Sequence, residues 1–223
     1  MGVKIFTHND LDGIGCGILG LLAFDEVDIE YCNYNDINEK IEQFIKNNEY
    51  MGYNHIYITD ISISEKLANK IDKTEPSSFK KGFTLAECFT LIDHHPTAMH
   101  LREYWWATIK IEDEKGKCSG TSLFYKYLLS DGCIELEKDN ISKFVEMVRQ
   151  YDTWEWATIY NNEDPKSWND LLYVYGREIF IETIIKKFRG NGKFKFDETD
   201  LLLLKLEENK KERYFEEYCP ALS

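Results

Sequence analysis

His8, Asp10 and Asp12 stand two residues apart in Thr7-His8-Asn9-Asp10-Leu11-Asp12-Gly13, and Asp93, His94 and His95 run together in Leu91-Ile92-Asp93-His94-His95-Pro96. Imidazoles and carboxylates at this density hold divalent cations or act as acids and bases on a substrate. If the first segment stays extended, the side chains of His8, Asp10 and Asp12 leave the backbone on the same side. Two further carboxylates, Asp60 and Asp152, follow apolar runs in the same manner. Taken singly, each has an ordinary explanation. An Asp at the end of a strand is most often a turn former or a helix cap. Taken together, three of the five histidines and at least four aspartates fall at the ends of elements. Carboxylates gathered in one crevice repel one another unless cations sit among them. A mixed imidazole and carboxylate set suits Mn²⁺, Fe²⁺ or Co²⁺, with Mg²⁺ a poorer match. Six ligands are too many for one closed site and suit two metals sharing a carboxylate, the usual device for in-line displacement at phosphorus.

The elements that must position these groups can be read from hydrophobic periodicity. Strands are expected at Val3–Thr7, Val27–Tyr34, Ile56–Thr59, Cys88–Ile92 and Trp106–Ile111. Helices are expected over Gly13–Phe24, along Ile37, Ile41, Phe44 and Ile45, over Ile63–Ile71, after an N-cap at Ser119, and over Ile141–Gln150. Strands alternating with helices give an α/β fold with a mostly parallel five-stranded sheet flanked by helices. In such sheets ligands bind outside the carboxyl ends of the strands. From Trp154 onward the pattern is helical, with segments at Ile179–Phe188 and Glu198–Tyr218 and a loop at Arg189–Gly192.

The 223 residues carry 43% hydrophobic and 14% aromatic side chains, enough for a proper core. The net charge of −13 argues against gripping a long duplex by its backbone, but permits a short oligonucleotide or nucleotide held through metal ions. The six cysteines form no C-x-x-C pair. With no signal peptide in view they read as reduced thiols of a cytoplasmic protein. No apolar run reaches the length of a membrane span.

His8-Asn9-Asp10-Leu11-Asp12-Gly13 matches the H-x-D-x-D-G motif of the DHH phosphoesterases, and Asp93-His94-His95 matches the triplet that names that superfamily. Asp60 and Asp152 sit where its second and fourth motifs belong, and Cys118-Ser119-Gly120-Thr121-Ser122 is similar to the segment after the triplet. The resemblance covers residues 3 to about 157. Within the superfamily, which also holds RecJ exonucleases, cyclic dinucleotide phosphodiesterases and family II pyrophosphatases, the first motif looks most like that of the nano-RNases. These degrade short oligoribonucleotides. The resemblance implies a Mn²⁺ held by His8, Asp10 and Asp60, and a second held by Asp12, Asp60, His94 and Asp152, with Asp60 bridging. Mg²⁺ or Co²⁺ are the alternatives. It implies that His95 contacts the phosphate and that Asp93 orients a neighbouring histidine. It also implies a catalytic domain over 1–157 and a helical extension over 158–223. Most members carry a substrate-binding domain with a Gly-Gly-Gly-His-like motif, and none is seen in this sequence.

Other features of the sequence permit different readings. Gly15-Cys16-Gly17-Ile18-Leu19-Gly20 fits the dinucleotide fingerprint, but Asp10 and Asp12 beside a pyrophosphate would cancel the attraction of the helix N-terminus. Close packing of helix on sheet explains the glycines better. Tyr151, Trp154, Trp156 and Trp168 could stack bases, and packing explains them as well. Arg149 is a candidate phosphate contact, as are Lys80, Lys81, Lys186 and Lys187, and a solvated face explains each equally well. Leu201 to Leu204 point to burial against another domain or a second copy, so a homodimer is one expected partner. A rival of another class is a nucleotide- or metal-binding module without turnover.

Overall fold

The computed structural model of the chain describes residues 2–78, 80–133, 136, 138–189 and 194–218. It divides into two compact units, residues 1–153 and 154–223. In the first, β1 (Gly2–His8) lies between β2 (Val27–Cys32) and β3 (Tyr53–Thr59), and β4 (Phe89–Asp93) and β5 (Ala107–Ile109) follow. The order is β2-β1-β3-β4-β5 and every pairing is parallel. The chain leaves β1 toward one edge and returns to its other side as β3, so the strand order reverses between the carboxyl ends of β1 and β3. Open α/β sheets bind their ligands at such a point.

Both faces of the sheet are covered, so residues 3–7 of β1, 56–59 of β3 and all of β4 are buried. On one face Phe6, Ile58 and Leu91 join a core with Ile37, Ile41, Phe44 and Ile45 of α2 (Ile37–Lys46) and Leu67, Ala68 and Ile71 of α3 (Glu65–Lys73). Ile5 and Tyr57 point to the other face. There Ile5 meets Gly20 of α1 (Leu11–Ala23), and Tyr57 packs on Phe24 and on Phe124 of α4 (Gly120–Ser130). The unit closes with α5 (Asp139–Asp152), whose Ile141, Phe144, Val145 and Val148 are buried.

Several boundaries differ from the periodicity. The helix expected from Gly13 begins at Leu11, because the Asp10 carboxylate caps it by accepting the Gly13 N–H at 3.0 Å. The strand expected to reach Tyr34 ends at Cys32, and the fifth strand is only three residues long. Helix α3 starts two residues late, where Ser64 accepts the Leu67 N–H. Helix α5 runs on to include Asp152. A small antiparallel pair, β6 (Glu112–Asp113) with β7 (Gly116–Lys117), was not visible in the sequence pattern.

The second unit is helical: α6 (Glu155–Thr158), α7 (Asp164–Tyr175), α8 (Arg177–Arg189) and α9 (Glu198–Tyr218). Trp168 stacks on Phe194 and Phe196 at 4.7 and 4.4 Å and belongs to its core. Leu201 and Leu202 of the leucine run are exposed. The loop expected at 189–192 lies outside the described residues from position 190. Among the described residues the five cysteines are free thiols, and no helix is long and apolar enough to cross a membrane.

Candidate metal centre

The site grows out of the carboxyl ends of β1, β3 and β4. His8 is the last residue of β1, and its Nδ1 lies 2.7 Å from Asp10 Oδ2. Because Asp10 starts a helix, the extended arrangement expected for His8, Asp10 and Asp12 does not form. Asp12 is carried into the first turn of α1 and buried. Its carboxylate accepts the backbone N–H groups of Gly120 at 2.6 Å and Thr121 at 2.8 Å, the first N–H groups of α4. Thr121 Oγ1 donates to the Asp12 carbonyl at 2.6 Å. Two helix N-termini therefore meet across Asp12, where a carboxylate satisfies N–H groups that have no partner within the helix.

Asp60 follows β3 in the left-handed backbone region, at φ 56°, and is 1% exposed. A non-glycine residue adopts that conformation at a cost and is often found where a site demands it. Its N–H is fixed by the Ile92 carbonyl at 3.0 Å. Gly120 packs directly against it, and a β-carbon at 120 would overlap the Asp60 side chain. Asp93, the last residue of β4, turns one carboxylate oxygen back to accept the His94 N–H at 2.7 Å, the His95 N–H at 3.2 Å and His95 Nδ1 at 2.7 Å. His94 Nε2 then lies 3.2 Å from Asp60 Oδ1 and 3.5 Å from both Asp12 Oδ2 and Asp152 Oδ2.

Donor atoms thus gather in three overlapping groups, each within 4.8 Å: His8, Asp10 and Asp60; Asp12, His94 and Asp152; and Asp60, Asp93, His94 and His95. The eight residues that the family resemblance places around metal and phosphate come together here. Arg149 does not join them. It is buried, and its described hydrogen bonds go to Glu146 and the Lys117 carbonyl. That position ties α5 to β7 and leaves the guanidinium committed.

No protein-family profile matches the chain. It is 36% identical over 213 residues, 94% of its length, to Oligoribonuclease NrnB of Bacillus subtilis (strain 168). The likeness to an oligoribonuclease goes together with the DHH-type motifs of the sequence, whose residues this site brings together. It spans about half the length of that curated relative, 51%. Among solved structures, an uncharacterized protein from Helicobacter pylori G27 shares the fold, with a TM-score of 0.68 at 16% identity over 91% of this chain and 60% of the other.

The electrostatics of this centre are those of an acid cluster short of positive charge. Burial, then the charges of Asp12 and Asp10, pushes the Asp60 carboxyl well above the usual carboxylate range. The same causes raise Asp152 to about 8. Burial holds the His94 imidazole below its ordinary value, while the Asp93 hydrogen bond lifts that of His95. Burial would also raise Asp10, but its contact with His8 outweighs this and keeps it low. Two buried oxygens, Asp60 Oδ2 and Asp93 Oδ2, have no hydrogen-bond partner among the described residues. Buried polar atoms are rarely left so. An orphaned carboxylate oxygen amid imidazoles and like charges fits divalent cations: they would complete the coordination of Asp60 and cancel the repulsion.

The sequence reading missed Tyr34. It lies just past β2, with its ring centroid 4.7 Å from that of His8 and its hydroxyl 3.3 Å from His95 Nε2. Burial and the surrounding aspartates keep its phenol protonated. The available signal was its place at the carboxyl end of the strand beside β1.

Proposed function

We propose that this chain is a metal-dependent phosphodiesterase that hydrolyses short oligonucleotides, acting as an exonuclease on nano-RNA. The observation that carries the reading is the joint placement of His8, Asp10 and Asp60 beside Asp12, His94 and Asp152, with one oxygen of the shared Asp60 buried and unpartnered. The printed name of the Bacillus subtilis relative supports the substrate class. His8, Asp10 and Asp60 would hold one Mn²⁺, and Asp12, Asp60, His94 and Asp152 the other, with Mg²⁺ or Co²⁺ as substitutes. When bound, such ions supply an activated water at neutral pH and neutralise the charge on a phosphodiester.

The remaining work belongs to the chain. His95, held by Asp93 through Nδ1, presents Nε2 to a phosphate oxygen. The Asp93 hydrogen bond favours the imidazolium, which suits an anion. The N-terminus of α4 keeps the Asp12 carboxylate oriented. The acidic chain has no need of a basic groove if charge neutralisation is local, and the expected substrate is correspondingly short. A reduced, cytoplasmic setting belongs to the same reading.

Hydrolysis of bis-p-nitrophenyl phosphate with and without Mn²⁺ tests it. Turnover that requires Mn²⁺ and is lost in Asp60→Ala is expected. Turnover absent in the wild type, or unaltered by Asp60→Ala, would instead indicate a binding module without catalysis. Comparing pApA, cyclic dinucleotides and pyrophosphate separates the oligonucleotide reading from the two other hydrolase readings.

A further inference from the structure

We infer that Tyr34 is a specificity-determining residue, which stacks on the nucleobase next to the phosphate bound at the His8 and His95 centre. The inference rests on the phosphodiesterase reading for its substrate class and on geometry of its own. Tyr34 is 57% exposed, although the histidines it touches are largely enclosed. One side of its ring leans on the His8 imidazole at an interplanar angle of 43°, and its edge meets His95 at 87°. Its hydroxyl is 3.3 Å from His95 Nε2. The ring is therefore oriented by two residues of the centre while more than half of its surface stays open to solvent.

The segment that carries the ring is also fastened. Asn33 Oδ1 accepts from Asn9 Nδ2 at 2.8 Å, joining this turn to the loop that holds Asp10. The Asn33 N–H donates to Asp36 Oδ1 at 2.7 Å, and the Asn33 carbonyl accepts the Ile37 N–H as α2 begins. A fixed aromatic face loses little freedom when it binds, which favours its use as an anchor. A base is joined to its own phosphate through one sugar, so a ring touching His8 and His95 stands within that reach. Stacking tolerates every base, because each has a π-face, and this matches a substrate class defined by length rather than sequence. Inorganic pyrophosphate has nothing to place on the ring.

The experiment compares a dinucleotide with its abasic counterpart, which keeps the phosphodiester and both sugars. In wild type, Tyr34→Ala and Tyr34→Phe, two quantities are measured: the ratio of kcat/KM for the two substrates, and the quenching of 2-aminopurine fluorescence when a non-hydrolysable dinucleotide carrying that base binds to the Mn²⁺-loaded protein. Tyr34→Ala should lower the preference for the base-bearing substrate about tenfold and abolish most of the quenching, as expected for one lost stack. Tyr34→Phe keeps the ring and should retain both. The inference is overturned if Tyr34→Ala leaves the preference unchanged. It is equally overturned if Tyr34→Phe matches Tyr34→Ala, since the hydroxyl on His95 would then be the active part. If wild type turns over neither substrate, the phosphodiesterase reading fails, and the quenching in wild type and Tyr34→Ala alone decides the role of the ring.

Discussion

Replacing Asp152 by Asn should make the metal-free protein more stable while weakening its hold on cations. The carboxyl of Asp152 is pushed up from 3.8 to about 8, by burial first and then by Asp12 and Asp10. In the unfolded chain it ionises near its ordinary value. Between those two values the folded protein keeps a proton that the unfolded chain has shed. The unfolded state binds fewer protons, so stability falls as pH rises. The favourable contribution is whole below 3.8 and is lost as pH climbs through about 8. At neutral pH the interval is about three units, or about 4 kcal/mol at most. The side chain is 21% exposed, and solvent screening brings the figure to about 2 kcal/mol. Asp152→Asn removes the ionisable group at nearly constant volume. Thermal unfolding in EDTA should show the variant melting about 4–8 °C above wild type at neutral pH. The gap should close on acidification to about pH 3, below both values, where the wild-type carboxyl holds its proton in both states. In saturating Mn²⁺ the order should narrow or reverse, because only the wild type gains the full stabilisation of a bound ligand. An Asp152→Asn protein that melts at or below wild type in EDTA at neutral pH, or a gap that widens in acid, would refute the electrostatic argument.

Gly120→Ala drives a β-carbon into the side chain of Asp60 and must displace either that carboxylate or the start of α4. Manganese-dependent kcat/KM should fall about 100-fold, as for a misplacement of about 1 Å, with a weaker Mn²⁺ isotherm in calorimetry. Arg149→Ala breaks a buried guanidinium's bonds to Glu146 and the Lys117 carbonyl. Urea unfolding should report a loss of about 3 kcal/mol. KM for a dinucleotide should stay within about twofold, and a raised KM at unchanged stability would return Arg149 to the substrate.

The sheet and the residues of the centre were legible because β1, β3 and β4 each run into an imidazole or a carboxylate at their carboxyl ends. That pattern survives any error of a residue or two in the boundaries. What was illegible depended on contacts between distant parts of the chain. Nothing near Asp12 announces that its carboxylate will be claimed by N–H groups more than a hundred residues away. Nothing near Arg149 announces that it will donate to the Lys117 carbonyl. The extended reading of His8 to Asp12 failed for a local reason. Asp10 serves as helix cap as well as candidate ligand, and capping starts the helix at Leu11, two residues before the apolar pattern does. Tyr34 escaped because the alternation reads it as the last residue of a strand, whereas β2 ends at Cys32 and leaves it in the turn beside His8.

The bonds from Asp12 to Gly120 and Thr121 have a consequence for the order of assembly. They close a loop of 108 residues, and Asp152 completes the cluster from farther along still. Contacts so distant in sequence form late and slowly, since the chain must give up much freedom before they repay it. A nascent chain emerging from the ribosome displays His8 and Asp10 long before α4 exists to set Asp12 in place. Every prefix that stops short of residue 152 lacks part of the constellation. By this arrangement synthesis itself delays the appearance of a complete centre until the whole first unit is available to fold.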